Sequence, residues 1–248
     1  MTELKNIINQ SSGIVFFGGA GVSTESGIPD FRSESGLYKA KQEFGRSPEE
    51  LISHTSFMAE PELFYQYYKT NMIFPDARPN DAHKALAKLE KKGILKAVVT
   101  QNIDGLHQLA GSETVYELHG SVHRNYCLKC GAKYDLEYIL DPGNCIDEGG
   151  KDTSVPWCEK CGGMVRPDVV LYEEALDDST VSNAVDAISK ADTLIVGGTS
   201  LVVYPAAGFL NYFNGNHIVL INKSETGFDS RATLVIHEPI GKVMSKLL

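Results

Sequence analysis

Ile14-Val15-Phe16-Phe17-Gly18-Gly19-Ala20-Gly21-Val22-Ser23-Thr24 is the stretch that decides the fold. Its first four residues are apolar and form a candidate buried strand, and the glycines that follow form a tight turn. A glycine turn after a strand lets backbone N–H groups approach a pyrophosphate at the start of a helix. Gly19 and Gly21 are therefore candidate nucleotide-binding residues.

This turn differs from the fingerprint of the nucleotide-dependent dehydrogenases in two ways. Thr24 stands where the third glycine is expected, and no acidic residue ends a following strand about 20 residues further on. The sequence therefore disfavours a hydride-transferring enzyme, although it keeps the strand and turn of a nucleotide site.

Four more short apolar runs have the length and composition of buried parallel strands. They are Leu95–Thr100, Val169–Leu171, Leu194–Val196 and Ile218–Ile221. Residues 82–91 and 181–191 carry apolar side chains at helical spacing between them. Alternating strands and helices predict an α/β fold with a doubly wound, Rossmann-like parallel sheet.

Four of the five cysteines form two Cys-x-x-Cys pairs, Cys127 with Cys130 and Cys158 with Cys161. Each pair can offer two thiolates to one tetrahedral ion, and four thiolates suit a closed structural zinc site. Such a site has no position for water, so catalysis must come from other residues. Redox or disulfide roles are the alternative. The lone Cys145 is expected to be neither ligand nor nucleophile.

Two segments interrupt the alternation and predict a second, smaller domain. Residues 37–75 carry aromatic side chains at helical spacing, and residues 124–167 contain all five cysteines. We expect a helical insertion and a zinc ribbon that together lie over the carboxyl edge of the sheet. The predicted larger domain, which carries the candidate nucleotide site, then comprises residues 1–36, 76–123 and 168–248. As an alternative, the aromatic side chains are simple core packing.

The composition disfavours several classes of function. The 248 residues have a formal net charge of −9 and no basic cluster, which argues against direct nucleic-acid binding. Residues 1–10 lack the apolar core of a signal peptide, and glycine, proline and asparagine interrupt the stretch at residues 193–222, which contains no charged side chain. We expect a cytoplasmic protein that does not contact membranes, and we expect it to be a monomer.

Several short motifs, in order, carry a resemblance to a known family. They are Gly19–Arg32 (GAGVSTESGIPDFR), Thr100–His107 (TQNIDGLH), Leu118–Gly120 (LHG), Arg166–Val170 (RPDVV), Gly198–Pro205 (GTSLVVYP) and Ile221–Asn222. With these motifs spread over residues 19–222, the sequence resembles the sirtuins, of the bacterial type. The resemblance implies an NAD-dependent protein-lysine deacetylase.

The resemblance also implies the reaction. An acetyl-lysine oxygen attacks the nicotinamide ribose carbon of NAD, nicotinamide leaves, and the acetyl group passes to the ribose. The products would be free lysine, nicotinamide and O-acetyl-ADP-ribose, so NAD is consumed as a substrate and carries no hydride. Acetylated lysine in proteins or peptides is the expected partner.

Candidate site residues follow from the matched motifs. His119 matches the base that acts on a ribose hydroxyl, a task that suits a side chain with an ordinary pKa of about 6.5. Asn102, Ile103 and Asp104 match the nicotinamide pocket, although Asn102 and Asp104 could instead cap the next helix. His107 is expected to pack beneath the site. The other candidate NAD contacts are Gly19, Ala20, Gly21, Thr24, Asp30, Phe31, Arg32, Gln101, Thr199, Ser200, Asn222 and Ile240.

Candidate substrate residues also follow from the resemblance. Val169 and Val170 match the strand that pairs with an extended peptide through main-chain hydrogen bonds. Tyr172–Glu174 (YEE) replaces the Phe-Gly-Glu of many relatives, which leaves the peptide preference open. Tyr65 and Tyr68 match positions where relatives that favour acidic acyl groups carry a tyrosine and an arginine. Because a second tyrosine has no charge, we expect acetyl to be preferred over succinyl or malonyl.

Three alternative functions use the same features. Mono-ADP-ribosyl transfer from the same NAD site would release nicotinamide without O-acetyl-ADP-ribose. A non-catalytic NAD sensor or zinc-ribbon interaction module is disfavoured because the base and the nicotinamide pocket are both present. A dehydrogenase would produce reduced nicotinamide, which we do not expect.

Overall fold

The computed structural model describes residues 1–30, 33–147 and 149–248. Phe31 and Arg32, two candidate NAD contacts, lie outside these described residues. In chain order the strands are β1 (Ile14–Gly18), β2 (Leu95–Thr100), β3 (Val115–Glu117), β4 (Gly120–Cys127), β5 (Lys133–Tyr134), β6 (Val165–Val169), β7 (Thr193–Gly197), β8 (His217–Ile221) and β9 (Leu234–Ile236). The α-helices are α1 (Thr2–Gln10), α2 (Glu34–Phe44), α3 (Pro48–Leu51), α4 (His54–Ala59), α5 (Pro61–Asn71), α6 (Asp81–Lys91), α7 (Leu106–Leu109), α8 (Leu136–Leu140), α9 (Asp178–Lys190) and α10 (Ile240–Met244).

The larger part of the molecule is a parallel sheet of six strands in the order β3-β2-β1-β7-β8-β9. This arrangement confirms the predicted doubly wound, Rossmann-like sheet. Strand β1 lies inside the sheet, with Phe17 opposite Val99 of β2 and Val196 of β7. The sequence patterns do not predict β3 and β9, because each strand has only three residues and all of them are half-buried.

Alternate residues of β1 enter two different cores. Ile14 and Phe16 pack with apolar residues of α1, α6 and α10, whereas Val15 and Phe17 pack with apolar residues of α9. This division follows because successive side chains of a strand point to opposite faces of the sheet. Helices therefore cover both faces, which explains why the strand is apolar at every position.

The two predicted helices, α6 and α9, begin at polar side chains. Asn80 Oδ1 accepts a hydrogen bond from Ala82 N at 2.9 Å, and Asp177 Oδ1 accepts one from Thr180 N at 2.7 Å. These caps satisfy N–H groups that a helix leaves unpaired at its start. Asn80 Nδ2 also donates to the carbonyl oxygen of Val22 at 2.7 Å, which joins α6 to the glycine turn after β1.

The smaller part of the molecule has its own sheet and its own core. Strands β5, β4 and β6 form an antiparallel sheet in that order, and helices α2 to α5 and α8 pack with it. Phe57, Phe64, Tyr65 and Tyr68 are fully buried in this core together with Val165 of β6. Residues from the helical insertion and from the cysteine-rich segment therefore share one core.

The small sheet crosses the predicted domain boundaries. Strand β4 continues past residue 123 and β6 past residue 167, so each strand contains residues from two predicted segments. The predicted parallel strand Val169–Leu171 is wrong, because Val169 ends the antiparallel strand β6, where it pairs with Gly120 of β4. A short apolar run carries no information about the direction of its partner strand. The exact division into domains stays a prediction.

Within the described residues, no helix is long and apolar enough to cross a membrane. The longest of them, α9, has 13 residues, whereas a membrane-spanning helix needs about 20. The uncharged residues 193–222 instead form β7, a 3-10 helix at Ala206–Tyr212 and β8.

Candidate active site

A cleft lies at the carboxyl ends of β1 and β2, where they approach the smaller part of the molecule. Strand β1 has β2 on one side and β7 on the other, so the chain reverses its direction of winding beside β1. Open α/β sheets bind ligands at such a switch point. The described residues that line the cleft are Ala20, Ser23, Ile28, Pro29, Ile52, Asn71, Met72, Phe74, Gln101, Asn102, Ile103, Asp104, His119, Val169, Val170, Leu171, Tyr172, Glu173, Glu174, Leu176, Val203, Tyr204 and Pro205.

The glycine turn after β1 packs directly on the turn after β7. Gly21 N donates a hydrogen bond to the carbonyl oxygen of Gly198 at 2.8 Å. A side chain on Gly21 would place its Cβ 2.9 Å from that oxygen, and Gly198 itself has a φ of +58°. The first position needs glycine because the two backbones are close, and the second because few other residues adopt a left-handed conformation. The two turns therefore form one rigid edge of the candidate nucleotide site.

Ser23 connects this glycine turn to the loop after β2. Its hydroxyl donates to Asp104 Oδ2 at 2.6 Å and accepts from Asn102 Nδ2 at 3.0 Å. Asp104 Oδ1 accepts from Leu106 N at 2.9 Å, so the carboxylate also binds the first N–H of α7. The N-cap residue of α7 is Gly105, so Asp104 bonds to the start of the helix from one residue before the cap while it also lines the cleft. The sequence patterns do not single out Ser23, although it lies in the glycine-rich stretch.

Gln101 joins the ends of three neighbouring strands. Its backbone N–H donates to Gly18 O at 3.0 Å, and its side-chain Nε2 donates to Thr199 Oγ1 at 3.2 Å. Its carbonyl oxygen lies 2.9 Å from His119 Nδ1. One residue therefore fixes the histidine relative to the ends of β1 and β7.

The contact with Gln101 sets the protonation pattern of the His119 ring. A carbonyl oxygen only accepts hydrogen bonds, so Nδ1 carries the proton. In the neutral ring, Nε2 then holds the lone pair and is the basic nitrogen. The backbone carbonyl of His119 accepts from Val170 N at 2.9 Å, which places the histidine beside the strand edge that lines the cleft.

Backbone hydrogen bonds fix the cleft wall formed by residues 169–174. Tyr172 N donates to the carbonyl oxygen of Ile52 at 3.2 Å, and the carbonyl of Tyr172 accepts from His54 N at 3.0 Å. Together with the contact between Val170 and His119, these bonds tie the wall to the helical insertion on one side and to β4 on the other. The wall is therefore a preformed edge.

An ion pair in the same wall holds Glu174. Arg166 donates to both carboxylate oxygens of Glu174 and to the carbonyl oxygen of Val169. Burial alone would raise the pKa of Glu174, but hydrogen bonds from Arg166, Leu171 N and His54 lower this pKa to about 2. Glu174 is therefore ionised and neutralised by its partner. Arg166 falls within a quoted motif, but the sequence does not show this pairing.

Two histidines lie in the core near the loop after β2. The rings of His83 and His107 have centroids 4.7 Å apart, and both side chains are buried. Burial lowers the pKa of His83 to about 4, with the charge of Asp104 opposing the shift. Burial also lowers the pKa of His107 well below its ordinary value. Both rings are therefore neutral near pH 7, and His107 packs in the core as predicted.

Some of the candidate NAD and peptide contacts line the cleft, and others lie outside its lining. Thr24 Oγ1 donates to the carbonyl of Gly21 at 3.1 Å, and Asn222 Nδ2 donates to that of Ser224 at 2.9 Å. Ile240 is buried against Gly197 at the end of β7. The candidates in the cleft lining are Ala20, Gln101, Asn102, Ile103, Asp104, His119, Val169 and Val170. The described candidates outside that lining are Gly19, Gly21, Thr24, Asp30, Thr199, Ser200, Asn222 and Ile240.

Tyr65 and Tyr68 lie in the core of the small domain rather than in the cleft lining. The Tyr65 hydroxyl donates to the carbonyl of Val165, and the Tyr68 ring stacks on Phe64 with centroids 5.4 Å apart. Large aromatic rings contribute most when they are buried against one another. The structure thus favours the core-packing alternative for both tyrosines over a direct contact with an acyl group.

Cys127, Cys130, Cys158 and Cys161 come together beside β4. Their sulfur atoms all lie within 4.8 Å of one another, with Cys127 and Cys161 3.5 Å apart and Cys130 and Cys158 3.6 Å apart. Thiolates at about 2.3 Å from a tetrahedral zinc ion would be roughly 3.8 Å apart, so the cluster fits a structural zinc site. Cys145 lies outside the cluster, with its sulfur 3.2 Å from Lys69 Nζ.

A Rossmann-like sheet with a glycine turn at its switch point, a fixed histidine in the cleft and a four-cysteine cluster define a nucleotide-dependent α/β enzyme with a structural metal site. The Sir2 family profile matches residues 19–205, and the chain belongs to the Sir2 family. A protein from Clostridium acetobutylicum named NAD-dependent protein deacetylase is 61% identical over 248 residues, covering 100% of this chain and 98% of that protein. A protein of the same name from Clostridium perfringens is 60% identical over 249 residues, with the same coverage.

Solved structures of similar proteins have the same fold. A Sir2 protein with a deacetylated peptide and 3'-O-acetyl ADP-ribose is 39% identical, with a TM-score of 0.87 over 100% of this chain and 96% of that chain. A Sir2 complex with a peptide and NAD+ is 38% identical, with a TM-score of 0.86 and the same coverage. A Sir2 protein bound to an acetylated peptide is 37% identical, with a TM-score of 0.84 and again the same coverage. The predicted family and fold are confirmed.

Proposed function

We propose that the chain is an NAD-dependent protein-lysine deacetylase that transfers the acetyl group to ADP-ribose and releases nicotinamide. The observation that carries this function is the position of His119, which Gln101 holds in the same cleft as Asn102 and Asp104. The similar proteins named NAD-dependent protein deacetylase support it. The Sir2 complexes with acetylated peptide and with acetyl ADP-ribose support it as well.

NAD would occupy the space between the glycine turn and the loop after β2. It supplies the ribose carbon that accepts the acetyl oxygen, and nicotinamide as the leaving group. The close contact of Gly21 with Gly198 excludes side chains from the edge where phosphates would lie, so a ligand can approach the backbone there. Asn102 and Asp104 would hold the nicotinamide carboxamide, since Ser23 fixes both side chains through its hydroxyl. The other proposed contacts are Gly19, Ala20, Thr24, Asp30, Phe31, Arg32, Gln101, Ile103, Thr199, Ser200, Asn222 and Ile240.

His119 is the proposed general base. Because Nδ1 donates to the carbonyl of Gln101, Nε2 is left as the nitrogen that can take a proton from a ribose hydroxyl. After protonation the ring keeps the same hydrogen bond, so the carbonyl stabilises the cation without any rearrangement. Positioning of this kind makes a general base effective, because the proton acceptor is already oriented before the reaction.

The acetylated peptide would lie along Val169 and Val170, whose backbone forms the preformed edge of the cleft. Such an edge binds an extended segment through main-chain hydrogen bonds. The four-cysteine cluster would hold zinc and stabilise the small domain. Four cysteine ligands would leave such a metal no open position, so it would take no part in proton transfer.

We further propose two domains at the predicted boundaries, a monomer, and a location in the cytoplasm. The shared core of the helical insertion and the cysteine-rich segment supports the division. Four thiols in one cluster fit a reducing compartment, where they bind metal more often than they form disulfides. The net charge of −9 supports a protein partner rather than a nucleic acid.

Mass spectrometry of the products tests the function directly. The protein is incubated with NAD and an acetylated peptide, and with each reagent alone as a control. We expect deacetylated peptide, nicotinamide and O-acetyl-ADP-ribose in equal amounts. A peptide that gains ADP-ribose while no O-acetyl-ADP-ribose forms would instead identify a mono-ADP-ribosyltransferase. Reduced nicotinamide in the mixture would identify a dehydrogenase.

A further inference from the structure

Glu173 is a cleft residue to which the proposed reaction gives no task. It lies in the turn after β6, lines the cleft, is exposed, and has a φ of +76°. Residues other than glycine, asparagine and aspartate rarely adopt this conformation, and glycine would adopt it without strain. An acidic residue kept in such a turn, at the rim of a binding cleft, points to a role for its side chain.

Two hydrogen bonds fix the carboxylate of Glu173. Its Oε2 accepts from Thr55 N at 2.9 Å and from Thr55 Oγ1 at 2.7 Å, so the side chain is anchored to the start of α4. These bonds also hold the pKa of Glu173 below its ordinary value, so the group is ionised at neutral pH. Among the described residues, none donates a hydrogen bond to Oε1. One oxygen is therefore fixed by the protein, and the other is available to a ligand.

The charge of Glu173 is not neutralised within the cleft. Asp104 is bound by the Ser23 hydroxyl and a backbone N–H, and Glu174 is paired with Arg166. In the described part of the cleft lining, no lysine or arginine is present to pair with Glu173. Tyr204 lines the same cleft and is 71% exposed, so its ring face is accessible to a cation.

We propose that Glu173 makes the enzyme select acetylated peptides that carry arginine or lysine close to the acetyl-lysine. This inference rests on the proposed deacetylase function. Glu173 is three residues beyond Val170, so the two backbones are at most about 10 Å apart along the chain. A bound strand advances by about 3.3 Å per residue, so the selected cation lies within about three residues of the lysine.

A peptide series tests the proposal. One uncharged acetylated parent peptide receives a single arginine, or a single glutamate, at each of the three positions on either side of the acetyl-lysine. For the wild-type protein we expect kcat/KM to favour arginine over glutamate by roughly 2- to 5-fold at one or more positions, as for an exposed ion pair. The ratio should shrink at about 0.5 M salt, because exposed charges are screened.

Two variants and a control distinguish the effect of the Glu173 charge from effects on folding. Glu173→Gln removes the charge but keeps a carbonyl oxygen that Thr55 can bind, and the arginine-to-glutamate ratio should fall towards one. Glu173→Gly is a second variant that fits the positive φ, and it keeps the test valid if the glutamine variant folds poorly. In this variant too, the arginine-to-glutamate ratio should fall towards one. Glu3→Gln makes an equal change in net charge on the exposed surface of α1 and should keep the wild-type ratio.

The outcomes distinguish this inference from the function on which it rests. Deacetylation by the wild-type protein with equal kcat/KM for arginine and glutamate peptides at every position would overturn the role of Glu173 alone. A wild-type ratio that persists in both Glu173 variants would overturn it too, because another residue would then be responsible. Absence of deacetylation with every peptide would overturn the proposed function together with this inference.

Discussion

Arg166 and Glu174 form a two-point ion pair in the cleft wall, with Nη1 2.9 Å from Oε1 and Nη2 3.0 Å from Oε2. Only 12% of the arginine side chain and 19% of the glutamate side chain are exposed. Arg166 Nη2 also donates to the carbonyl of Val169 at 3.0 Å, and Glu174 Oε2 accepts from Leu171 N at 2.9 Å. The pair therefore closes the turn that carries the proposed peptide-binding edge.

Arg166→Ala should destabilise the protein strongly, because it leaves a largely buried carboxylate without its partner. Loss of one member of a buried pair costs about 3 kcal/mol in the free energy of unfolding, whereas an exposed pair contributes less than about 1 kcal/mol. Arg46 supplies the control, since its side chain and that of Glu60 are 41% and 45% exposed in their ion pair. Urea unfolding of Arg166→Ala and Arg46→Ala compares the two, and equal losses would contradict the structural role of Glu174.

The buried histidines predict a specific loss of stability in mild acid. Histidines in the unfolded chain take up protons near pH 6.5, whereas folded His83 takes up its proton only near pH 4. Between these values the unfolded state binds more protons, so the free energy of unfolding falls as the pH falls. Neither ring nitrogen of His107 has a hydrogen-bond partner in the described structure, so His107→Leu should be tolerated at pH 7.5 and should flatten this dependence.

Thermal or urea unfolding at pH 7.5 and pH 5 measures the effect. Substitution of the exposed His123 by glutamine is the control, because it also removes one histidine but not a buried one. If His107→Leu loses as much stability between the two pH values as the wild type does, the acid sensitivity has another source.

The fold was largely predictable because its central strands are buried on both faces. Strands β2, β7 and β8 appear as apolar runs within one residue of their observed ends. The direction of the Val169 strand was not predictable, because it depends on a partner that lies more than 40 residues away in the chain. For Tyr65 the sequence left core packing and a substrate contact both open, since an aromatic residue at helical spacing fits either a core or a cleft.

The site was predictable only as far as the matched motifs reached. His119 and the four cysteines were predicted from motif and spacing, and the structure places His119 in the cleft and the four cysteines in one cluster. The contacts that orient them were not predictable. Ser23 is 81 residues from Asp104 in the chain, and only the folded sheet brings the glycine turn beside the loop after β2.

His119→Ala should leave NAD binding almost unchanged while turnover falls by roughly 10² to 10⁴. The ring supplies the proton acceptor, whereas the glycine turn and the loop after β2 are separate proposed contacts for the nucleotide. Calorimetric titration with NAD and a nicotinamide-release assay measure the two quantities on the same sample. A variant that retains more than about a third of wild-type turnover would remove His119 from the mechanism.

Cys158→Ser should abolish zinc binding and unfold the small domain, because structural zinc contributes roughly 10 to 16 kcal/mol of apparent folding free energy in isolated zinc fingers. Elemental analysis should give one zinc per chain for the wild type and almost none for the variant. Cys145→Ser provides the control, since Cys145 is buried but lies outside the cluster, and this variant should keep its zinc. Full zinc content and normal activity in Cys158→Ser would refute the four-thiolate site.

Acetyl-lysine should be a better substrate than succinyl-lysine by at least about tenfold in kcat/KM. The cleft lining contains Asp104 and Glu173, whereas Glu174 is paired with Arg166, and the described lining residues include no lysine or arginine that could bind the succinyl carboxylate. A succinyl group would therefore lose water from its charge without gaining a partner, and it would also meet charge of the same sign.

Butyryl-lysine separates charge from length, because it has the same four-carbon chain without the carboxylate. We expect butyryl to be accepted better than succinyl on one peptide sequence. A succinyl value equal to the butyryl value would show that charge does not control the choice, and one equal to the acetyl value would overturn the acyl preference itself.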